Sequence, residues 1–394
     1  MAKLCVLRQL CNYIPTHLVP QLSRSTGVAE KARTYSAWSH VVCLLYAQLT
    51  HALGLNDVCD ALRLHSGPLS ALRGATPPSR NGLSHANKVR PAEMAEQLFW
   101  RMLEHLESLS PQFGLGRRRA PLHRFKRAVH IIDSTVIQLV ANCLDWASHR
   151  RRKAAAKCHV RLDFQSLLPR MVIVDAARPH DNVHARALCA AVKAGEIVIG
   201  DRAYLELLHL LELSQRGVYW VVREKQNLCF EVIDKSEVAE GSGILRDEII
   251  MLNKGVQARR VVAIVEVDGE EREMTFLTNH LEWSARTVCD LYRCRWQIEV
   301  FFKQLKQTLQ LADFLGNSAN AVQWQLWSAL LLMLLLRFLA HLSNWSHSFV
   351  RLFTLTRSAL WSRIDLLHLL RSYGTAGGSF RALAQPEQAF LAGI

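Results

Sequence analysis

The 394-residue sequence predicts an α/β fold flanked by helical regions. Three observations carry this expectation. Residues 1–110 repeat their apolar positions at helical spacing. From Val129 onward the apolar segments become short, rich in Val and Ile, and alternate with helical stretches. From Ser284 the helical pattern returns and runs to about Leu370. Half of the residues are apolar and 21% are charged, the balance of a chain that folds, and its length calls for two or three domains.

The first region, residues 1–110, reads as a helical N-terminal domain. His40 to Leu53 lacks Gly and Pro; Gly54 is placed to end that helix, and Asn56 to cap the next, Asp57 to His65. Gly67, Pro68, Gly74, Pro77, Pro78 and Gly82 mark a loop region. Helical pattern resumes at Ser84, with Leu98, Met102, Leu103 and Leu106 on one face.

Composition limits the class of partner. The formal net charge is +14 and the pI about 9.6, which favours a polyanion such as nucleic acid, or an anionic membrane surface. A helical domain in such a chain is expected to bind DNA; packing or dimerisation is its plainer role. Ten cysteines occur without a C-x-x-C pair or a zinc-spaced Cys/His set, and Cys43, Cys143, Cys189 and Cys289 sit in apolar stretches. Reduced thiols and a cytoplasmic location are therefore expected. Residues 1–8 lack a signal-peptide pattern. The apolar run Leu326 to Ala340 is interrupted by Arg337 and is short of a span, so a buried core helix is expected and no membrane partner.

A basic linker, Arg117, Arg118, Arg119, Arg124, Lys126 and Arg127, leads into the strands. Val129 to Asp133 and Thr135 to Val140 read as paired strands, with His159 to Phe164 and Arg170 to Asp175 as further ones. Then follow a helix at Asn182 to Lys193, a buried strand at Ile197 to Gly200, a helix at Tyr204 to Gln215 and a strand at Val218 to Arg223. An antiparallel group passing into strand–helix–strand–helix order matches a ribonuclease H-like core, expected over residues 111–225. Leu228 to Ile233, Leu245 to Leu252, Arg259 to Val267 and Glu271 to Leu277 have no helix between them, a β-rich insertion over 226–284. One helix over 285–311 completes the core, and 312–394 forms a C-terminal helical region with a loose tail after Tyr373.

Three acids stand out in this framework. Asp133 and Asp201 each end an apolar run, and Glu299 lies in the later helix. Acids at strand ends are most often solvated turn residues, yet two of them with a third on a helix suit a pair of divalent metals facing a phosphodiester. At about 100° per residue, Tyr292, Arg295, Glu299 and Lys306 fall within an arc of about 60°, with Ile298, Phe301 and Leu305 roughly opposite. Such a stripe is either a solvated ion-pair ladder or a surface for a phosphate backbone.

Tyr292-Arg293-Cys294-Arg295-Trp296-Gln297-Ile298-Glu299 with Lys306 resembles the Y-x(2)-R-x(3)-E-x(6)-K signature of DDE transposases from bacterial insertion sequences, in the branch called insertion sequence family four. The resemblance extends to Ile132-Asp133-Ser134-Thr135, to Gly200-Asp201-Arg202-Ala203-Tyr204 and to Thr278-Asn279. It also takes in Arg150-Arg151-Arg152-Lys153 with Lys157 and His159, and covers roughly residues 30 to 345. It implies that Asp133 is shared by two Mg²⁺ ions, which Mn²⁺ can replace, with Asp201 and Glu299 each completing one site. It implies nicking at the ends of an element and attack of the freed 3′-hydroxyl on target DNA, with a hairpin intermediate typical of the family. Terminal inverted repeats, target duplex and a second copy of the chain are the implied partners.

Within the resemblance, Tyr292, Arg295 and Lys306 are expected to hold terminal phosphates. The arginine runs 117–119 and 150–152 and Lys157 would contact the DNA backbone, and Trp296 would stack on a displaced base or pack in the core. His180-Asp181 reads as a loop and helix cap in preference to a metal-shell pair, and His130 as a strand residue and not a ligand. Two other classes compete: a DNA-binding protein on the same scaffold without cleavage, and a ribonuclease H-like nuclease without strand transfer.

Overall fold

The computed structural model describes residues 4–28, 35–116, 127–139, 154–176, 181–204, 206–267, 269–311 and 314–373. The chain divides into two compact units, one of residues 1–113 with 303–394 and one of residues 114–302. The serial order of segments read from the sequence thus becomes two bodies. The C-terminal helices cluster with the N-terminal ones, and the β-rich segment belongs with the core strands.

In the helical unit, the 24-residue helix Ala319–Leu342 packs against helices Ala37–Thr50 and Glu93–Leu109. It is apolar all round because it is covered all round. By length and composition it could cross a membrane, but 78% of its apolar window is buried inside the protein. Its start is fixed by Asn320, whose Nδ2 donates to the Asn87 and Arg90 carbonyls while Oδ1 accepts the Ala92 N–H. Leu98, Met102, Leu103 and Leu106 are buried as their spacing implies. The caps near residue 54 differ from expectation. Helix Ala37–Thr50 ends at His51, which takes the left-handed conformation, and Gly54 begins the next helix, Leu55–Leu64. There the Asp57 carboxylate accepts the Gly54 N–H at 2.9 Å, so Asn56 is not the cap.

The second unit is built on a nine-stranded mixed sheet: β1 Val129–Leu139, β2 Ala154–Asp163, β3 Pro169–Ala176, β4 Ile197–Gly200, β5 Tyr219–Arg223, β6 Phe230–Lys235, β7 Ile244–Leu252, β8 Val256–Val267 and β9 Glu270–Thr278. Their order across the sheet is β3-β2-β1-β4-β5-β9-β8-β7-β6. β1, β4 and β5 run parallel, and every other neighbouring pair is antiparallel. The segment over 226–284 therefore extends the same sheet through β9.

Two expectations change here. Over Val129 to Leu139 the chain does not fold back as two strands; β1 is continuous through Asp133, since Asp133-Ser134 offers no Gly or Pro on which to turn. The helix expected over Asn182 to Lys193 is a 3₁₀ turn at Asp181–His184 and a short helix at Ala185–Cys189. One face of the sheet is covered by that helix and by Leu207–Gln215, with Ile132, Val198, Trp220 and Val222 in the shared core. Helix Ala285–Arg293 packs on β5, β7, β8 and β9.

Candidate active site

The parallel register aligns Ile132 on β1, Gly200 on β4 and Val222 on β5. Side chains alternate along a strand, and Ile132 and Val222 point into the core under Leu207–Gln215. Asp133 and Asp201, one residue further on, therefore face the other side. That face carries Phe276 of β9, and the Tyr292 ring of helix Ala285–Arg293 rests 4.6 Å from it. The Tyr292 hydroxyl donates to Asp201 Oδ1 at 3.3 Å.

The long helix expected over 285–311 is broken. It runs Ala285–Arg293, then Trp296–Lys303, then a π-helical turn at Gln304–Thr308. At the first break the Cys294 and Arg295 N–H groups bond three residues back, to Leu291 and Tyr292. This tight turn re-aims Arg295, so a uniform 100° step does not describe the stripe. Arg295 reaches two acids at once. Its Nη1 donates to Asp133 Oδ2 at 2.9 Å and its Nη2 to Glu299 Oε1 at 2.5 Å. The Arg295 guanidinium also lies 5.6 Å from the centre of the Tyr292 ring, so Asp133, Asp201, Tyr292, Arg295 and Glu299 form one connected set within the second unit. Lys306 lies in the π-helical turn, which belongs to the helical unit.

Electrostatics follow from burial. Desolvation pushes the Asp133 carboxyl up to about 6, against the Ser134 N–H and Arg295, while Asp201 and Glu299 add to the rise. Burial likewise raises the Tyr292 hydroxyl to about 12. For Arg295 burial works against the charge, but Tyr292, Asp133 and Glu299 outweigh it and hold the guanidinium above its ordinary value. The donor atoms are all carboxylate oxygens, hard ligands of the kind Mg²⁺ takes. As the side chains lie, Arg295 sits between Asp133 and Glu299. Among the described residues no three acid, imidazole or thiol groups stand together closely enough to ligate one ion. The donor chemistry fits a divalent cation, and admission requires Arg295 to release at least one carboxylate.

The other expected site residues separate. Trp296 is 56% exposed at the start of its helix, beside Arg295 and not in the core. Lys157 pairs with Val136 across β1–β2, which places it on the face opposite Asp133. His130 is buried with Nε2 3.1 Å from Glu196 Oε2, an internal pair and not a ligand. Arg117–Arg119, Arg124, Lys126, Arg150, Arg151, Arg152, His180, the Asp181 side chain and Cys143 lie outside the described residues. Asn279 serves the sheet. It accepts the Trp220 N–H and donates to Ser214 Oγ and the Val218 carbonyl, tying β9 to the start of β5.

Residues 124–336 match the transposase DDE domain, and residues 3–72 match a domain of unknown function. A Sinorhizobium fredii chain named as a transposase, y4zB, is 29% identical over 79% of this chain and 85% of its own length. The chain named as the transposase of insertion sequence element IS5377 of Geobacillus stearothermophilus is 30% identical over 55% of this chain and 58% of its own. The transposase of element IS231E of Bacillus thuringiensis is 20% identical over 81% of this chain and 77% of its own. The domain match covers more than half of the sequence and takes in the sheet and all three acids. The chain belongs to the DDE transposase family, among the DNA transposases of insertion sequences.

Proposed function

We propose that this transposase moves its element by cut-and-paste, on a ribonuclease H-like core formed by β1 to β5, with Asp133, Asp201 and Glu299 as the metal-binding and catalytic acids. One observation carries the reading. Asp133 and Asp201 lie on one face of the sheet, Arg295 ties Asp133 to Glu299 of the helix, and Tyr292 contacts Asp201, so acids far apart in sequence share one set of partners. The strand order β3-β2-β1-β4-β5 supports the core assignment.

DDE transposases generally use divalent metals. Two Mg²⁺ ions bound by the three carboxylates would activate the attacking oxygen and stabilise the leaving one in an in-line displacement. The protein supplies the rest. Asp133 and Asp201 are fixed by the sheet, and Glu299 by a helix whose Ile298 and Phe301 are buried. The Tyr292 ring rests on Phe276, which would hold its hydroxyl, now on Asp201, ready for a terminal phosphate. Arg295, released from the acids, is positioned to neutralise that phosphate, and Lys306 contacts the same DNA end. Trp296 offers an exposed indole for an unstacked base. Inverted repeats at both ends are held by a pair of chains, and the basic runs 117–119 and 150–152 contribute backbone contacts.

The test is Glu299→Gln. The variant should bind a duplex carrying the terminal repeat as wild type does and lose Mg²⁺-dependent cleavage. Cleavage at the wild-type rate would remove Glu299 from the metal site. A ribonuclease acting without strand transfer would nick the duplex but never join a pre-cut 3′ end to a target plasmid.

A further inference from the structure

The register that aligns the two aspartates places a third residue in their row. Ile132, Gly200 and Val222 are direct neighbours across β1, β4 and β5, so Asp133 and Arg223 follow one residue later on β1 and β5, and Asp201 lies one residue past the end of β4. Neighbouring strands stand about 4.8 Å apart, so the row spans about 10 Å. Arg223 continues it by pairing with Phe276 on β9. Directly opposed residues of an antiparallel pair project to the same side. Phe276 supports the Tyr292 ring, and Tyr292 reaches Asp201. Arg223 therefore projects onto the same face as the acids and Tyr292.

The Arg223 side chain is half-buried and makes no hydrogen bond or ion pair to any described residue. This contrasts with other arginines of the same unit. Arg259 is held by Asp247, Arg260 by Glu224 and Glu248, and Arg295 by Asp133 and Glu299. The backbone beneath Arg223 is fixed. The Glu224 N–H bonds to the Thr275 carbonyl at 2.9 Å, and the Glu224 carboxylate is gripped by both Nε and Nη2 of Arg260 at 3.0 Å. A half-buried guanidinium at the end of this strand, in one row with two carboxylates and with its donors untaken, is open to an incoming anion.

We propose that Arg223 is a phosphate-binding residue of the active site, taking the non-bridging oxygens of the phosphodiester to be cut and seating it against Asp133 and Asp201. The inference rests on the functional reading above. No Tyr-Arg-Glu-Lys spacing includes Arg223, because it reaches the site through sheet register. A guanidinium offers two parallel donors to a phosphate, matched in shape as an ammonium is not.

The experiment uses the full chain and a duplex taken from the DNA beside this gene, bearing its inverted repeat. Two forms are made, one with the ordinary phosphodiester at the cut position and one with a neutral methylphosphonate there. Binding is measured in EDTA and single-turnover cleavage in Mg²⁺. Wild type should bind the neutral duplex about tenfold more weakly than the charged one, and Arg223→Gln should bind the two within about twofold of each other. Arg223→Gln should also cut ordinary DNA about a hundredfold more slowly, with Arg223→Lys intermediate. Thermal melting identifies any variant that fails to fold, and the lysine variant, which keeps the charge, then carries the test.

If Arg223 only balances Asp201, Arg223→Gln will weaken both duplexes alike and keep the tenfold discrimination, which overturns the proposal. Cleavage by Arg223→Gln at the wild-type rate overturns it as well. Asp133→Asn separates the two levels. A wild type that cuts and an Asp133→Asn that does not uphold the functional reading whatever Arg223 does. A wild type that never cuts removes both.

Discussion

Arg295 donates to Asp133 at 2.9 Å, and through its other terminal nitrogen to Glu299, so one guanidinium joins the sheet and helix members of the acid set. A cation held there competes with any metal for the same carboxylates. Arg295→Gln should therefore bind Mn²⁺ in the absence of DNA roughly tenfold more tightly than wild type, a difference of about 1.4 kcal/mol. It should at the same time lose DNA cleavage. Calorimetric titration with Mn²⁺ reads the first effect, and unchanged affinity would mean that Arg295 does not compete with the metal.

Tyr292 has two separable functions in this geometry, a ring packed on Phe276 and a hydroxyl at Asp201. Tyr292→Phe keeps the ring and should change stability by less than about 1 kcal/mol, because a 3.3 Å contact at a partly buried carboxylate contributes little. Cleavage should fall nonetheless, since the phosphate loses a donor. Tyr292→Ala empties a buried position and should cost about 3 to 5 kcal/mol in urea unfolding. Equal destabilisation by both variants would show that the hydroxyl, and not the ring, carries the packing.

Much of this was legible in the sequence, and the limits have physical causes. β4 and β5 were legible because short Val/Ile runs between helices bury on both faces. Asp133 was placed at a strand end because an acid interrupts an apolar pattern, yet its backbone continues the ladder to Leu139 and only its side chain leaves the core. The Arg295–Glu299 contact is an i, i+4 pair that spacing suggests. Arg295–Asp133 and the Asp133–Asp201–Arg223 row depend on tertiary register, which no local period encodes. Helix Ala319–Leu342 gave no clue to its partners, since an apolar surface on every side has no preferred face.

Arg260 provides a test of how the outer strands hold the row. It bridges Glu224, next to Arg223, and Glu248 on β7, with all three side chains at most 13% exposed. Arg260→Ala would leave two carboxylates buried without a counter-charge and should cost about 3 to 5 kcal/mol. Adding Glu224→Gln and Glu248→Gln should recover most of that loss. Failure of the triple variant to recover would point to lost packing of the Arg260 stem over Phe230, where the guanidinium lies 4.9 Å from the ring centre.

His40 should contribute to the acid response of the helical unit. It is fully buried against Trp324, with Nε2 2.8 Å from Asn87 Oδ1, and since that oxygen only accepts, Nε2 carries the proton of a neutral ring. Burial, with Arg90 adding to it, pushes its pKa from 6.5 down to about 3. Between those values the unfolded chain binds a proton that the folded chain refuses. The stability contributed by a neutral His40 is therefore complete above about pH 6.5 and is lost progressively as the pH falls toward 3. Each pH unit well inside that window removes up to about 1.4 kcal/mol. Urea midpoints measured at pH 7.5 and pH 5 should differ clearly for wild type and much less for His40→Gln, whose amide nitrogen can still donate to Asn87. An identical pH dependence in the two proteins would assign acid sensitivity to other groups.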